Sequence, residues 1–334
     1  MAFEAAARCV KSGGILLTAD ADACVYPNWI EANLAELRKG VDAVAGRIEI
    51  DPVDAALIPS KLHEDDAREC AYAALLDEIN ARLDPDAFDP WPRHSEHSGA
   101  SIAVTADAYR RAGGIPAVAL GEDRAFCDAL RRVDARIRHS TEARVVVSGR
   151  ILGRAVGGMA DTIRRRMIKP DEMLDAGLEP AFDAASRARM RRFVRMTWSA
   201  RNALNSFVPL LSQALMLRSE ELRTLFSLPH CGAAWANIEM RSARLAKKRV
   251  PVRDLELQTQ RARSILQACA EKRFNSALLA SANPGDIPAL GGAVSDRVRL
   301  CTPLNTSRPL RPPDMDSQFG RSNAPVESDR LASS

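Results

Sequence analysis

A chain of 334 residues with 46% hydrophobic side chains can bury one substantial core and is long enough for two ordinary domains. Its formal charge of +4 conceals an asymmetry: residues 1–149 carry 17 Lys and Arg against 25 Asp and Glu, and the remainder 30 against 18, so the front is acidic and the back basic. No run reaches the roughly 18 consecutive apolar residues of a membrane-spanning helix, and the seven cysteines (Cys9, Cys24, Cys70, Cys127, Cys231, Cys269 and Cys301) include no C-x-x-C pair, so neither a zinc ribbon nor a disulfide framework is indicated.

The opening residues Met1 to Arg8 form a helix-favouring stretch with no basic n-region, and the expected compartment is reducing cytoplasm, with contact at the inner face of a membrane left open. Ile15 to Thr18 reads as a buried strand, and Pro27 opens a helix running to about Lys39. Val41 to Ile50 is a second strand, and Lys61 to Leu83 is a long helix rich in Ala and Leu. Asp84 to Ser98 holds three prolines and no periodicity, so it is a loop, of the kind that often carries function. Ser101 to Thr105 is a strand, Ala106 to Ala112 a short helix, Gly113 to Pro116 a turn and Glu122 to Val133 a helix, with short strands around Ile137 and at Val145 to Val147. This alternation argues for an α/β layer architecture. From Gly157 to Cys269 nearly everything is helical, and from about Asn283 the chain is too polar to offset its ordering entropy and reads as a disordered tail.

Two acidic pairs carry the chemistry. Asp20 and Asp22 fall just after the first strand, where ligands gather in open α/β sheets, and in extended geometry both side chains project to one side, towards a single hard cation. Alternatively, Asp22 caps a helix or closes a turn before Pro27. Glu122 and Asp123 stand at a helix N-terminus, where a carboxylate serves either as a cap favoured by the helix dipole or as a general base for an acceptor hydroxyl.

Other features stay open or fall away. His94-Ser95-Glu96-His97 matches no zinc pattern, and an acceptor-binding loop is the better reading. His139, after a short strand, either approaches the cation from the sheet or, the better reading, is a surface histidine. Arg150, Arg154, Arg164, Arg165 and Arg166 either clamp a diphosphate or solvate a helix. The stretch Arg187 to Trp198 either lies on anionic membrane through Phe193 and Trp198 or packs its apolar stripe on a neighbouring helix. Nucleic-acid binding through the basic half has no interleaved aromatic motif behind it.

The order Leu16-Leu17-Thr18-Ala19-Asp20-Ala21-Asp22, Ser98-Gly99-Ala100-Ser101-Ile102-Ala103-Val104, Tyr109-Arg110-Arg111-Ala112-Gly113-Gly114, Gly121-Glu122-Asp123-Arg124-Ala125 resembles family 2 glycosyltransferases of GT-A fold. The likeness covers about residues 1–168, including a basic segment at Gly149 to Gly158, and implies three parts: a partial GT-A domain over 1–168, a helical extension over 169–282 and the tail over 283–334. It implies that Asp20 and Asp22 hold Mg²⁺ or Mn²⁺ and the donor diphosphate. Asp123, with Glu122 beside it, would be the base of an inverting hexosyl transfer. Gly99, Ala100, Ser101 and His97 would line the sugar and acceptor side. The partners implied are a nucleotide diphosphate sugar and a hydroxyl acceptor, whether glycan, lipid or small molecule, and not nucleic acid. In that family a strand, helix and strand that hold the nucleotide precede the Asp-x-Asp strand, and here they are missing. The resemblance therefore implies an N-terminally truncated chain, with an exposed edge on a parallel sheet; the alternative is an inactive remnant that acts at most as a binding module.

Overall fold

A computed structural model describes residues 2–150 and 158–281. In chain order the elements are α1 (Ala2–Cys9), β1 (Ile15–Thr18), β2 (Cys24–Val25), α2 (Trp29–Arg38), β3 (Ala43–Ile50), α3 (Pro52–Ala55), α4 (Ser60–Leu83), β4 (Ile102–Thr105), α5 (Ala106–Arg111), α6 (Glu122–Arg132) and β5 (Ile137–Val147). Helices follow: α7 (Met159–Ile168), α8 (Ala181–Ser199), α9 (Leu204–Leu215), α10 (Ser219–Phe226), α11 (Cys231–Arg241) and α12 (Leu255–Ser281). The segment 151–157, with Arg154, and the expected tail 283–334, with Cys301, lie outside the described residues.

The chain is α/β, with a five-stranded sheet ordered β1-β4-β3-β5-β2. The sheet is mixed, which corrects the parallel one expected from sequence: only β3 and β5 run parallel, because β4 enters from the long loop in the opposite direction and pairs antiparallel with both β1 and β3. β1 forms one edge of it. The two short strands expected near Ile137 and Val145 are one strand of 11 residues, β5, held along the whole of β3 through a register shift at Gly46/Arg47. An α-carbon substituent at Gly46 would lie 2.0 Å from Ser101 Oγ and 2.3 Å from the Ala143 carbonyl oxygen, so only glycine fits where these three segments meet.

Strand alternation fills both faces. Leu16, Ala43, Ile102 and Val104 pack with Tyr109, Phe126 and Leu130 under α1, α5 and α6, while Val44, Ala103 and Val145 pack on Trp29 of α2. Local sequence sets the helix starts: Asp51 accepts from Val53 N and Asp54 N ahead of Pro52, and Thr105 Oγ1 accepts from Ala108 N.

Residues 2–281 form one compact unit. The long helix α4 joins the helical half, since Tyr72, Leu76 and Ile79 share a core with Ala181, Ala184 and Ala185 of α8 and with Ala262 and Ile265 of α12, and Tyr72 Oη donates to the Glu179 carbonyl at 2.7 Å. Helices α8 to α11 build a second helical core around Leu211, Leu222 and Ile238. Of the two readings of Arg187 to Trp198, packing is the one observed: Val194 and Trp198 are buried and Phe193 packs against them, so neither aromatic is free to enter a bilayer.

Candidate active site

β1 delivers Thr18 to the carboxyl end of the sheet, and the chain turns at once, with Ala23 N donating to the Asp20 carbonyl at 3.0 Å. Asp20 and Asp22 thus flank a turn rather than an extended segment. Across from them, the last residues of the long loop wind into a single 3₁₀ turn, Gly99–Ser101, whose Ser98 side chain accepts from Ala100 N. The Thr18 hydroxyl donates to the Gly99 carbonyl, which fixes this turn to the end of β1.

On the third side stands the N-terminus of α6. Gly121 takes φ +74°, a left-handed conformation that favours glycine, and this aims Glu122 and Asp123 back across the sheet edge. Asp123 Oδ2 accepts from Gly99 N at 3.2 Å and Oδ1 from Arg124 N at 2.6 Å. A methyl group placed on Gly99 would lie 4.0 Å from both Asp123 Cβ and Asp20 Oδ1, so the glycine sits between the two acidic pairs. Partial burial, and after it the negative charge of Asp22, Asp123 and Glu122, push the Asp20 carboxyl above the usual aspartate value. Asp20 therefore feels the three other carboxylates expected to act with it.

The other residues expected in the sugar pocket have structural surroundings. Ala100 and Ser101 have no accessible surface, and Ser101 Oγ accepts from the Trp29 indole at 2.9 Å. They hold the turn from beneath, leaving Gly99 as its part-exposed residue. His97 Nε2 lies 2.5 Å from Arg131 Nη2 and 3.0 Å from His139 Nε2.

His139 is not the surface residue expected from sequence: it is 7% exposed, and its Nδ1 lies 2.7 Å from Asp89 Oδ2. Asp89, buried in the long loop, also receives Arg93, Arg138 and the His139 backbone, and this hydrogen bonding holds its carboxyl down at about 2 against the cost of burial. His94 Nε2 meets the Ser140 carbonyl. The loop is thus clamped to β5 and α6 by a polar network. Little in Asp-Pro-Trp-Pro-Arg-His announces it: Arg93 is a local partner of Asp89, but Arg138 and His139, which tie the loop to β5, lie about 50 residues away.

Arg150 reaches Asp22, so one of the arginines considered as a diphosphate clamp does stand at the site. Arg165 and Arg166 do not: they bind Asp171, and Arg166 also faces Glu69 of α4. Among the described residues no three His, Cys, Asp or Glu side chains form a ready chelate. Two aspartates with a surplus of negative charge nonetheless suit a hard cation that takes its remaining ligands from phosphates and water. Comparison with protein-family models, with curated proteins and with solved structures finds no match.

Proposed function

We propose that this chain is the metal-binding and acceptor-side part of a GT-A glycosyltransferase of family 2, transferring a hexose from a nucleotide diphosphate sugar to a hydroxyl acceptor with inversion. The observation that carries this reading is the placement of Gly99, hydrogen-bonded to Asp123 and 4.0 Å by its would-be methyl from Asp20, which brings a candidate base and a candidate cation site to either side of one small residue. A sugar ring can approach the backbone closely at such a position.

In this scheme Asp123 takes the proton of the acceptor hydroxyl, the hydroxyl oxygen bonds to the anomeric carbon, and the bond from that carbon to the donor diphosphate breaks, its electron pair leaving with the nucleoside diphosphate. Mg²⁺ or Mn²⁺ on Asp20 and Asp22 would supply Lewis-acid neutralisation of the leaving charge. Arg150, released from Asp22 when a cation binds there, would face the same phosphates through its planar guanidinium.

Isothermal titration of the chain with nucleoside diphosphates, with and without Mn²⁺, tests the reading. Metal-dependent binding that disappears in Asp20→Ala/Asp22→Ala is the expected result. A folded chain that binds no nucleoside diphosphate under either condition would remove the donor site and leave a binding module.

A further inference from the structure

Away from the carboxylate cluster, two basic segments meet. Arg164-Arg165-Arg166-Met167-Ile168-Lys169 closes α7, and Arg241-Ser242-Ala243-Arg244-Leu245-Ala246-Lys247-Lys248-Arg249 links α11 to α12; together they carry nine cations and no acid. The chain between α7 and α8 joins them: Leu174 N donates to the Val250 carbonyl at 2.9 Å, Arg249 Nη2 to the Leu174 carbonyl at 2.7 Å and Val252 N to the Glu172 carbonyl at 3.0 Å. A recess of about 640 Å³ opens there, with Arg165, Arg166, Lys169 and Arg249 on its walls beside Asp171, Glu172 and Asp175.

Apolar side chains stand among these cations. Ile168 is 82% exposed, Met167 42% and Met173 41%, although Leu174 and Val250 beside them are buried. Five of the nine cations are held by acids of the same surface, Arg164 by Asp161, Arg165 and Arg166 by Asp171, Lys169 by Glu172 and Lys248 by Asp183, while Arg241, Arg244 and Lys247 stand exposed. Buried Leu174, Leu245 and Val250 anchor the two linking segments, and Arg166 ties the end of α7 to them through Asp171 and to α4 through Glu69.

We propose that this face docks on an anionic lipid bilayer, with Ile168, Met167 and Met173 entering the headgroup boundary and the surrounding cations meeting lipid phosphates. Protruding apolar side chains flanked by Lys and Arg, as Met167 and Ile168 are between Arg166 and Lys169, are what an interfacial anchor requires, since apolar insertion and attraction to anionic headgroups add. A soluble polyanion would match the charge but would leave Ile168 in water. The inference is independent of the glycosyltransferase reading.

Cosedimentation of the full chain with vesicles tests it, using phosphatidylcholine alone and phosphatidylcholine mixed with phosphatidylglycerol. The wild-type chain sediments with the anionic vesicles and is released by raised ionic strength. Ile168→Glu weakens that binding at least about tenfold, by loss of the inserted side chain. Lys247→Glu weakens it by roughly fivefold or more, by loss of charge attraction. Both positions are exposed, and unchanged circular dichroism and thermal unfolding confirm that each variant is folded. Equal binding to neutral vesicles, no binding by the wild type, or binding indifferent to both substitutions overturns the proposal.

Discussion

Gly99 and Asp123, 24 residues apart, meet through a hydrogen bond of 3.2 Å from the glycine N–H to Asp123 Oδ2. This bond ties the end of the long loop to the start of α6, and it leaves the carboxylate beside the space over Gly99. Asparagine at position 123 keeps an oxygen that can accept from Gly99 but has no carboxylate to take a proton. On the proposed reading, Asp123→Asn is expected to lower transfer to a hydroxyl acceptor by about 10²- to 10⁴-fold while thermal unfolding stays within a degree or two, as loss of a general base alone would do. Steady-state transfer assays alongside calorimetry check this; near wild-type turnover in the variant would remove Asp123 from the mechanism.

Much of the site was legible because its signals are local. A short apolar run before Asp20, a Gly-Gly turn, and a glycine just ahead of Glu122 and Asp123 each fix a strand end or helix start, and those are the places where the carboxylates stand. Long-range pairing was not legible. The direction of β4, the union of β5 into one strand and the joining of α4 to α8 and α12 depend on partners far along the chain. The burial of His139 likewise depends on Asp89, 50 residues away, whose role no spacing rule reveals. Ser101 misled for a related reason: next to Gly99 in sequence, it points to the opposite side of the turn, into Trp29.

The helical half grips α6 as well. Asp134, just past the end of α6 at φ +55°, accepts from Cys231 N and Gly232 N at the start of α11. A methyl group on Gly232 would lie 1.8 Å from the Arg131 carbonyl oxygen, which is backbone and cannot step aside. Gly232→Ala is expected to cost roughly 1 to 3 kcal/mol, the usual range for overpacking. Urea unfolding measures the loss. Because α6 carries Asp123, hydrogen exchange at the N-terminus of α6 should quicken in the same variant.

Acid should loosen the clamp on the long loop. Burial pushes His94 down to about 4; burial, and then the charge of Arg131, pushes His97 to about 2; and burial lowers His139 despite its bond to Asp89. Unfolded, each takes up a proton near 6.5, so below that pH the unfolded chain binds more protons than the folded one and stability falls as pH falls. Asp77, raised to about 6 by burial, acts the other way, because the folded state then holds a proton that an unfolded aspartate gives up. Burial raises Asp20, Glu69 and Glu96 in the same sense as Asp77, but the three histidines govern the range from about pH 7 to about pH 6, so stability is expected to fall there as pH falls. His97→Gln removes one of the three and should flatten the slope in urea titrations across that range.

Gly46 offers the sharpest test of how the turn at Gly99 is supported. A methyl group there meets three obstacles, Ser101 Oγ at 2.0 Å, the Ala143 carbonyl oxygen at 2.3 Å and Ser101 Cβ at 2.9 Å. Removing the hydroxyl relieves only the first, and it also leaves the buried Trp29 indole N–H without its acceptor. Gly46→Ala should therefore cost about 3 kcal/mol or more, since strain at a packed backbone crossing adds to overpacking. Adding Ser101→Ala should recover little, because the Ala143 carbonyl is backbone of the bulge held between the β3-paired residues Ser140 and Arg144, and an unpaired buried donor costs about 1 to 3 kcal/mol by itself. Full recovery in the double variant would mean that β5 shifts away from β3 at low cost, and that the register shift at Gly46/Arg47 does not depend on glycine.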